Sequence, residues 1–210
     1  MDCAKLMEAR RSVNFFDPKK DVSEKELREM VRLAALSPSS FNLQPWNLIV
    51  VRQAEDKARL RKQAMDQPKV TEAPVVLIVL ADTDGYKEGN FAVEQDWEGM
   101  LKNGYMKSEQ RGWFLGAAAK LYGGEPRRAL AFAVKNAGFF AMSLMLAAKN
   151  LDLDTHPMDG FDHDGVMKEF AIPANFFVPM LLCVGHFDES KKLLPRNWRK
   201  SYEDIVVATY

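Results

Sequence analysis

The sequence predicts a small β-sheet covered by helices, because strand signals are few and lie far apart along the chain. Three short apolar runs are typical of strands: LIVV at 48–51, VVLIVLAD at 75–82 and VPMLLCVG at 178–185. The second run is apolar almost throughout, as expected of a strand buried on both faces of its sheet. The long segments between these runs carry apolar residues at helical spacing.

Helices are predicted before and between the strands. The first covers residues 2–12, and Arg10 and Arg11 lie near its C-terminal end, where the helix dipole favours basic side chains. The second follows Ser23, an N-cap with Glu26 three residues later, which predicts a capping box. Further helices are predicted at 54–65, in the aromatic stretch 86–122, at 127–150 and near 164–170. The aromatic stretch either covers a pocket or a partner, or packs as an ordinary amphipathic segment.

Two other segments are expected to be irregular or extended. Residues 151–162, LDLDTHPMDGFD, mix proline, glycine and acids and are predicted as a loop, in which Gly160 permits close backbone approach to a planar ligand. The tail at 191–210 is basic and extended but ends in the apolar run IVV at 205–207. We therefore expect a strand-like end that completes the sheet of a second copy, since exchange of termini is a low-cost route to a dimer.

Composition favours one globular domain over residues 1–210, in the cytoplasm. The chain carries 29 basic and 29 acidic residues, whereas nucleic acid as the main partner would need a basic excess. Cys3 and Cys183 imply no disulfide framework, and Cys183, inside an apolar strand, is interpreted as a buried small hydrophobe. No secretory signal is visible, and the most apolar helical run, 137–148, is shorter than a membrane span.

The segment Ser37–Trp46, SPSSFNLQPW, is a candidate binding loop. Its two prolines fix the backbone and bias the residues before them away from helix. Four polar side chains are displayed between a helix and an apolar strand, namely Ser39, Ser40, Asn42 and Gln44. A polar loop at an element boundary commonly carries a ligand.

Arginine clusters at both ends of the chain suggest a phosphorylated ligand, because guanidinium forks match phosphate oxygens in geometry and charge. The clusters are RRSVN at 10–14 and RNWR at 196–199, and Gln67 and Lys69 supply further donors. Each cluster alone is better explained as solvated charge. Together with the polar loop they favour a site for a phosphorylated, ring-bearing cofactor, although spacing alone does not show that they converge.

Several other kinds of site lack their usual motifs. The sequence contains no GxGxxG, GxxxxGK[ST], HExxH, CxxC or GxSxG. Asp152, Asp154 and His156 alternate like calcium ligands, but Pro157 and His163 stand where a calcium loop needs Gly and Glu. We therefore predict no metal site.

Five segments together resemble the nitroreductase family of flavin oxidoreductases. They are ARRSVNFFDP at 9–18, LSPSSFNLQPWNLIVV at 36–51, DQPKVTEAPVVLIV at 66–79, NAGFFAMSLMLAAKNLDLDTHPMDGFD at 136–162 and RNWRKSYEDIV at 196–206. The resemblance implies an α+β fold, with a small, mainly antiparallel sheet surrounded by helices. It also implies a homodimer with FMN at the subunit interface and a C-terminal segment that crosses to the partner subunit.

The same resemblance implies which residues bind the cofactor. The FMN phosphate and ribityl chain would be held by Arg10, Arg11 and Ser12, with Arg199 or, as second choice, Arg196 closing on the phosphate. The flavin would be lined from the other subunit by Pro38, Ser39, Ser40 and Asn42. Its pyrimidine edge would be approached by Gln67 and Lys69, and its hydride-accepting nitrogen by Pro157, Met158, Asp159 and Gly160.

The implied activity is NAD(P)H-dependent reduction of nitroaromatics, quinones or other conjugated acceptors by ping-pong hydride transfer. A specialised reductase on the same scaffold, for dehalogenation or enal reduction, and a non-catalytic flavin-binding or sensing protein are the alternatives. One position departs from the family: Asn14 stands where a cation is frequent. Because cations near the pyrimidine ring stabilise the anionic reduced flavin, we expect a lower flavin potential, which Asn14→Lys would raise.

Overall fold

The computed structural model describes residues 2–210 and builds one sheet from them. Its four strands are β1 (Trp46–Val51), β2 (Val75–Asp82), β3 (Asp154–Met158) and β4 (Phe176–Gly185). They lie in the order β1-β2-β4-β3, and every neighbouring pair is antiparallel. The predicted small, antiparallel, helix-covered sheet is thereby confirmed.

Helices occupy both faces of this sheet. They are α1 (Cys3–Ala9), α2 (Glu24–Ala34), α3 (Ala54–Gln63), α4 (Lys69–Glu72), α5 (Phe91–Lys102), α6 (Arg111–Tyr122), α7 (Pro126–Asn150), α8 (His163–Glu169) and α9 (Tyr202–Ile205). Single 3₁₀ turns lie at Ser40–Asn42 and Ser108–Gln110. The predicted capping box of α2 is present: Glu26 N–H donates to Ser23 Oγ, and Ser23 N–H donates to the Glu26 carboxylate.

The sheet separates two apolar cores. Because side chains alternate along a strand, Leu77 and Val79 of β2 face a core that includes α2 and α7. Val76 and Ile78 face a second core built with α3, α4 and α8. Every residue of β2 is buried, which confirms the prediction of a strand covered on both faces.

One helix within residues 2–210, α7, is long and apolar enough to cross a membrane by length and composition alone. Its inward face buries Ala137, Phe140, Ala141 and Leu144 in the larger core. This is the placement of a core helix, as the sequence predicted.

The first helix ends earlier than predicted, at Ala9 instead of residue 12. Arg10 has extended backbone angles, Ser12 forms a parallel bridge to Thr155, and Val13 N–H donates to Thr155 O over 3.1 Å. Pairing with the start of β3 therefore pulls the arginine segment out of the helix and lays it along the sheet edge.

The predicted loop at 151–162 was wrong, because Asp154–Met158 forms β3. Pro157 was misleading: a proline lacks the N–H that an interior strand needs, but β3 lies at the edge of the sheet, where proline is tolerated. The strand places Met158 in the core and the residues after it beside α4 and α8.

Two further predictions need correction. The stretch 86–122 is not continuously helical, since turns precede α5 and residues 103–110 separate it from α6. The end of the tail is not strand-like, because Ile205 closes the short helix α9, whose start is capped by Ser201.

Candidate functional site

The two ends of the chain meet at a cavity of about 250 Å³ beside the start of β3. Six of the predicted binding residues line it, namely Arg10, Arg11, Ser12, Asn14, Arg196 and Arg199. Residues more than 180 positions apart are therefore neighbours, and the convergence that spacing could not establish is present within one chain.

Backbone carbonyls hold these arginines in place. Arg196 Nη2 donates to Glu8 O over 2.7 Å and to Arg10 O over 3.0 Å. Arg11 Nη2 donates to Leu194 O over 2.6 Å. The tail and the N-terminal segment are thus tied to each other by guanidinium groups.

The cavity carries a concentrated positive charge. Burial, followed by the charges of Arg196, Arg199 and Arg11, lowers the pKa of Arg10 from its ordinary value. Among residues 2–210, no carboxylate lies within 4.0 Å of any of these four guanidinium groups. Like charges gathered without counter-ions provide a site for an anion, and guanidinium forks with the Ser12 hydroxyl suit a phosphate.

A second polar group continues the site along β3. Lys69 Nζ lies 3.0 Å from Asn14 Oδ1 and 3.2 Å from His156 Nε2, and His156 Nδ1 lies 2.8 Å from Val13 O. Gln67 Nε2 donates to Gly160 O over 2.8 Å. The predicted residues Gln67 and Lys69 therefore adjoin the Arg10–Asn14 segment and the end of β3.

Burial shapes the ionisation of this group. It lowers the pKa of Lys69, and burial together with the charge of Lys69 lowers the pKa of His156. Beneath them Cys183, paired in register with His156, is fully buried, and desolvation raises the pKa of its thiol to about 12. Burial therefore favours the uncharged imidazole and the uncharged thiol in this set.

The segment 157–160 turns out of β3 toward α4. Pro157 and Met158 still pair with β4, whereas Asp159 is exposed. A side chain added at Gly160 would lie 3.0 Å from Gln67 Nε2. The close approach expected at Gly160 is therefore made, within this chain, to the Gln67 amide.

The binding loop at 38–44 has a strained backbone. Phe41, Asn42 and Gln44 have φ of 55°, 54° and 47°, which is uncommon for residues other than glycine and typical of functional sites. Ser39 Oγ accepts from Gln44 N–H over 3.0 Å, which closes the loop on itself. The loop is therefore built to a fixed shape despite its cost.

Helices α5 and α7 anchor the same loop. Ser40 N–H donates to the buried Asn136 Oδ1 over 3.0 Å, and Lys135 Nζ donates to Ser40 Oγ over 2.7 Å. Asn42 Nδ2 donates to Asp96 Oδ1 over 2.6 Å, and burial raises the pKa of Asp96.

The loop and the arginine cavity lie at opposite ends of the sheet. Trp46, next to the loop, pairs with Ala81, and Ala81 with Phe177, whereas Ser12 bridges Thr155, which pairs with Val184. Phe177 and Val184 are seven residues apart on β4, and at about 3.3 Å per residue the loop end and the cavity end of the sheet lie about 23 Å apart. The loop adjoins β1 and the cavity adjoins β3, and these two strands are opposite edges of the sheet. One subunit therefore does not bring Pro38–Asn42 to the cavity.

Three residues of the site were not predicted: His156, Asp96 and Asn136. His156 drew attention only as an unsupported metal ligand, and no group of three or more His, Cys, Asp or Glu in residues 2–210 could hold a metal ion. For Asn136, the sequence signal is an asparagine within an apolar helix. Such a residue needs a hydrogen-bond partner when it is buried.

Comparison with known proteins gives consistent matches. The model of the nitroreductase family matches residues 7–186. The Bacillus subtilis protein MhqN, named as an NAD(P)H nitroreductase, is 31% identical over 96% of both chains. The enone reductase of CLA biosynthesis from Lactiplantibacillus plantarum is 27% identical over 86% of this chain and 82% of its own.

Solved structures agree with this assignment. The crystal structure of the Bacillus subtilis nitroreductase YdfN superposes with a TM-score of 0.89 at 30% identity, over 98% of both chains. A nitroreductase from Exiguobacterium sibiricum in complex with FMN superposes with a TM-score of 0.78 at 25% identity, over 95% of this chain and 98% of its own. The fold and the family model together place the chain in the nitroreductase family.

Proposed function

We propose that the protein transfers reducing equivalents from NAD(P)H to nitroaromatic, quinone or related conjugated acceptors by a ping-pong reaction. As a member of the nitroreductase family, the chain is an FMN-dependent oxidoreductase with NAD(P)H as its reductant. The observation that carries the proposal is the cavity in which arginines from both chain ends meet, with no carboxylate of residues 2–210 paired to them.

The residues at the cavity fit FMN in charge and in donor type. Arg10, Arg11 and Ser12 would hold the phosphate and ribityl chain, with Arg196 and Arg199 closing from the tail. Gln67 and Lys69 would meet the pyrimidine edge beside Asn14, and the segment from Pro157 to Gly160 would lie against the ring. Apart from the segment 157–160, each of these residues offers a cation, a hydroxyl or an amide. These are the groups that a phosphorylated heterocycle requires.

The flavin, when bound, supplies the hydride chemistry, and the chain supplies orientation and electrostatics. The neighbouring titratable groups are poor proton donors: the Cys183 thiol is buried with a pKa raised to about 12, and His156 is committed to Lys69 and Val13. We therefore assign no side chain as obligatory acid or base, and protons come from water.

A homodimer would complete the site. The outer face of α7 exposes Phe139 and Met142, and the tail exposes Trp198, Ile205 and Val207. Exposed apolar surface on a central helix and on a long tail favours association with a second copy. In such a dimer Pro38, Ser39, Ser40 and Asn42 of one subunit would line the flavin held by the other, in a cytoplasmic protein whose whole chain is one domain.

Enone or enal reduction is a second candidate, favoured by the relationship to the enone reductase of CLA biosynthesis. Both reactions require a flat conjugated acceptor to stack over the flavin. They differ in which acceptor re-oxidises the reduced protein, so the same experiment separates them.

The purified protein provides the test. We expect a yellow dimer with one FMN per subunit that NADH or NADPH bleaches without oxygen, and that nitroaromatics and quinones then re-oxidise. Faster re-oxidation by an α,β-unsaturated ketone would favour the second candidate. A yellow protein that neither nucleotide bleaches would indicate a binding or sensing role, and a protein that takes up no FMN would refute both reductase functions.

A further inference from the structure

Lys69 lies between two acceptors that come from different parts of the fold. Its ammonium donates to Asn14 Oδ1 over 3.0 Å and contacts His156 Nε2 over 3.2 Å. An ammonium has three N–H donors and no acceptor, so these two contacts leave one donor. Within residues 2–210 no carboxylate lies within 4.0 Å of this amine. Lys69 thus presents an unneutralised charge with one donor to spare.

The contacts of His156 fix which of its nitrogens carries the proton. The Val13 carbonyl can only accept, so Nδ1, 2.8 Å away, must be the donor. An ammonium can only donate, so Nε2 must offer a lone pair to Lys69. Only the neutral ring protonated at Nδ1 satisfies both. Burial and the charge of Lys69 favour the neutral ring by lowering the pKa of His156.

The two acceptors are independent of each other. Asn14 belongs to the segment laid along the sheet edge beside Arg10 and Ser12, whereas His156 belongs to β3. Lys69 itself begins the short helix α4. The amine is consequently held at the junction of three elements, on the side of β3 where the arginine cavity opens.

We propose that Asn14 and His156 are positioning residues that fix Lys69 as the cation at the flavin's pyrimidine edge, an inference that rests on the proposed function. Asn14 then does not leave the pyrimidine edge without a cation. Its amide oxygen accepts a hydrogen bond from Lys69 of α4 and so holds that cation in place. The reduced, anionic flavin gains more from this charge than the oxidised flavin does. This pair of contacts from Asn14 and His156 to Lys69, here called the clamp, therefore raises the flavin potential.

This arrangement changes the expectation for Asn14→Lys. The substitution would bring a new ammonium, but it would remove the acceptor that holds Lys69 and add a like charge that repels it. We expect Asn14→Lys to raise the flavin potential by less than Lys69→Met lowers it.

Redox titration of the FMN-loaded protein tests the clamp. Lys69→Met should weaken binding of reduced FMN about tenfold more than binding of oxidised FMN, which for a two-electron couple lowers the midpoint by about 30 mV. His156→Asn retains a donor near the Nδ1 position for the Val13 carbonyl but loses the Nε2 acceptor for Lys69. It should lower the midpoint by less than Lys69→Met does. His156→Gln, whose amide oxygen can take the place of Nε2, should restore most of it. Equal midpoints for wild type and His156→Asn, with Lys69→Met lowered, would overturn the role of His156.

A second measurement needs no flavin. In the apo-protein, ¹⁵N NMR should find the His156 ring protonated at Nδ1 at neutral pH. In Lys69→Met, the pKa of His156 should rise because a repelling charge is gone, while the side chains of Glu72 and Cys183, which also lie near Lys69, stay in place. Protonation at Nε2, or an unaltered titration in Lys69→Met, would overturn the clamp.

The two measurements separate the two ideas. A chain that binds no FMN refutes the proposed function, and the inference about the flavin falls with it, whatever the ring titration shows. A chain that binds FMN but whose midpoint is unaltered by Lys69→Met keeps the proposed function and refutes the inference.

Discussion

Among single side chains, burial decides which groups can react. Cys183 of β4 is fully buried in the second core, and its Sγ donates to Met158 Sδ over 3.6 Å. Loss of hydration raises the pKa of its thiol to about 12, so the thiolate that reacts with electrophiles is nearly absent at neutral pH. Cys3, by contrast, is exposed on α1.

We predict that Cys3→Ser leaves the folded protein without a thiol that iodoacetamide can alkylate at neutral pH. The denatured variant should take up one label, at Cys183, which mass spectrometry would locate. Rapid alkylation of Cys183 in the folded variant would contradict the burial that the structure assigns to it.

The capping box of α2 is a second feature of single residues. Ser23→Ala removes the acceptor for Glu26 N–H, and loss of such an N-cap costs about 1 kcal/mol of unfolding free energy. Urea unfolding followed by circular dichroism would measure it, and Ser23→Asp, which keeps an acceptor, should lose much less. Equal losses for the two variants would show that the cap does not stabilise the fold.

The same box gives a prediction on pH. Hydrogen bonds from Ser23 lower the pKa of Glu26 in the folded state. A carboxylate with a lowered pKa contributes stability that is full above its unfolded pKa and is lost as pH falls through the folded pKa. Glu26→Gln should therefore be less stable than wild type at neutral pH, and the gap should close in acid. A gap that is constant with pH would contradict the role of the charge.

At the scale of elements, packing is tight where β4 ends beneath the N-terminal segment. A side chain at Gly185 would meet Pro74 Cδ at 2.6 Å and Phe16 Cδ1 at 2.9 Å. Neither a proline ring nor a buried phenylalanine moves away cheaply, so over-packing applies.

Gly185→Ala should lower the unfolding free energy by about 1–3 kcal/mol. Gly116→Ala is the matched control, because a Cβ there meets no atom of another part of residues 2–210 within 4 Å, and alanine suits a helix interior better by about 0.5–1 kcal/mol. The two variants should shift the thermal midpoint in opposite directions. A tolerated Gly185→Ala would mean that the end of β4 is looser than the structure has it.

The elements also show how far the sequence determines the fold. β2 and the start of α2 follow from local signals, an apolar run and a capping pattern, that need no tertiary context. β3 does not, because whether Pro157 breaks a strand depends on whether that strand is at the edge. Sequence position alone does not contain that information.

The candidate site divides in the same way. Arg10, Arg11 and Ser12 could be chosen from residue type and motif, and the structure brings them together with the tail. His156 could not be chosen in this way, because its importance depends on which of its ring nitrogens faces Lys69 and which faces Val13, and these residues lie in different segments. Contacts between groups that are 87 and 143 positions apart along the chain are set by the whole fold.

At the scale of the whole molecule, the proposed site is divided between places that one chain keeps apart. The arginine cavity and the loop from Pro38 to Asn42 lie about 23 Å apart along β4 and on opposite edges of the sheet. Both are rigidly built, the cavity by carbonyl anchors and the loop by Asn136 and Asp96. Bringing the loop to the cavity within one subunit would break the hydrogen bonds that anchor each of them. A loop supplied by a second subunit requires no such break.

Phe139 on the outer face of α7 allows this division to be tested. It is 48% exposed in the single chain, and a carboxylate at this position would be costly to bury in an apolar interface. We predict that Phe139→Asp yields folded monomers by sedimentation and weakens FMN binding by at least about tenfold, although every residue of the arginine cavity is unchanged. Ala58→Asp, which adds the same charge at an exposed position of α3, should leave both dimer and binding intact. Monomers of Phe139→Asp that still bind FMN tightly would show that one subunit suffices, and the shared site would have to be abandoned.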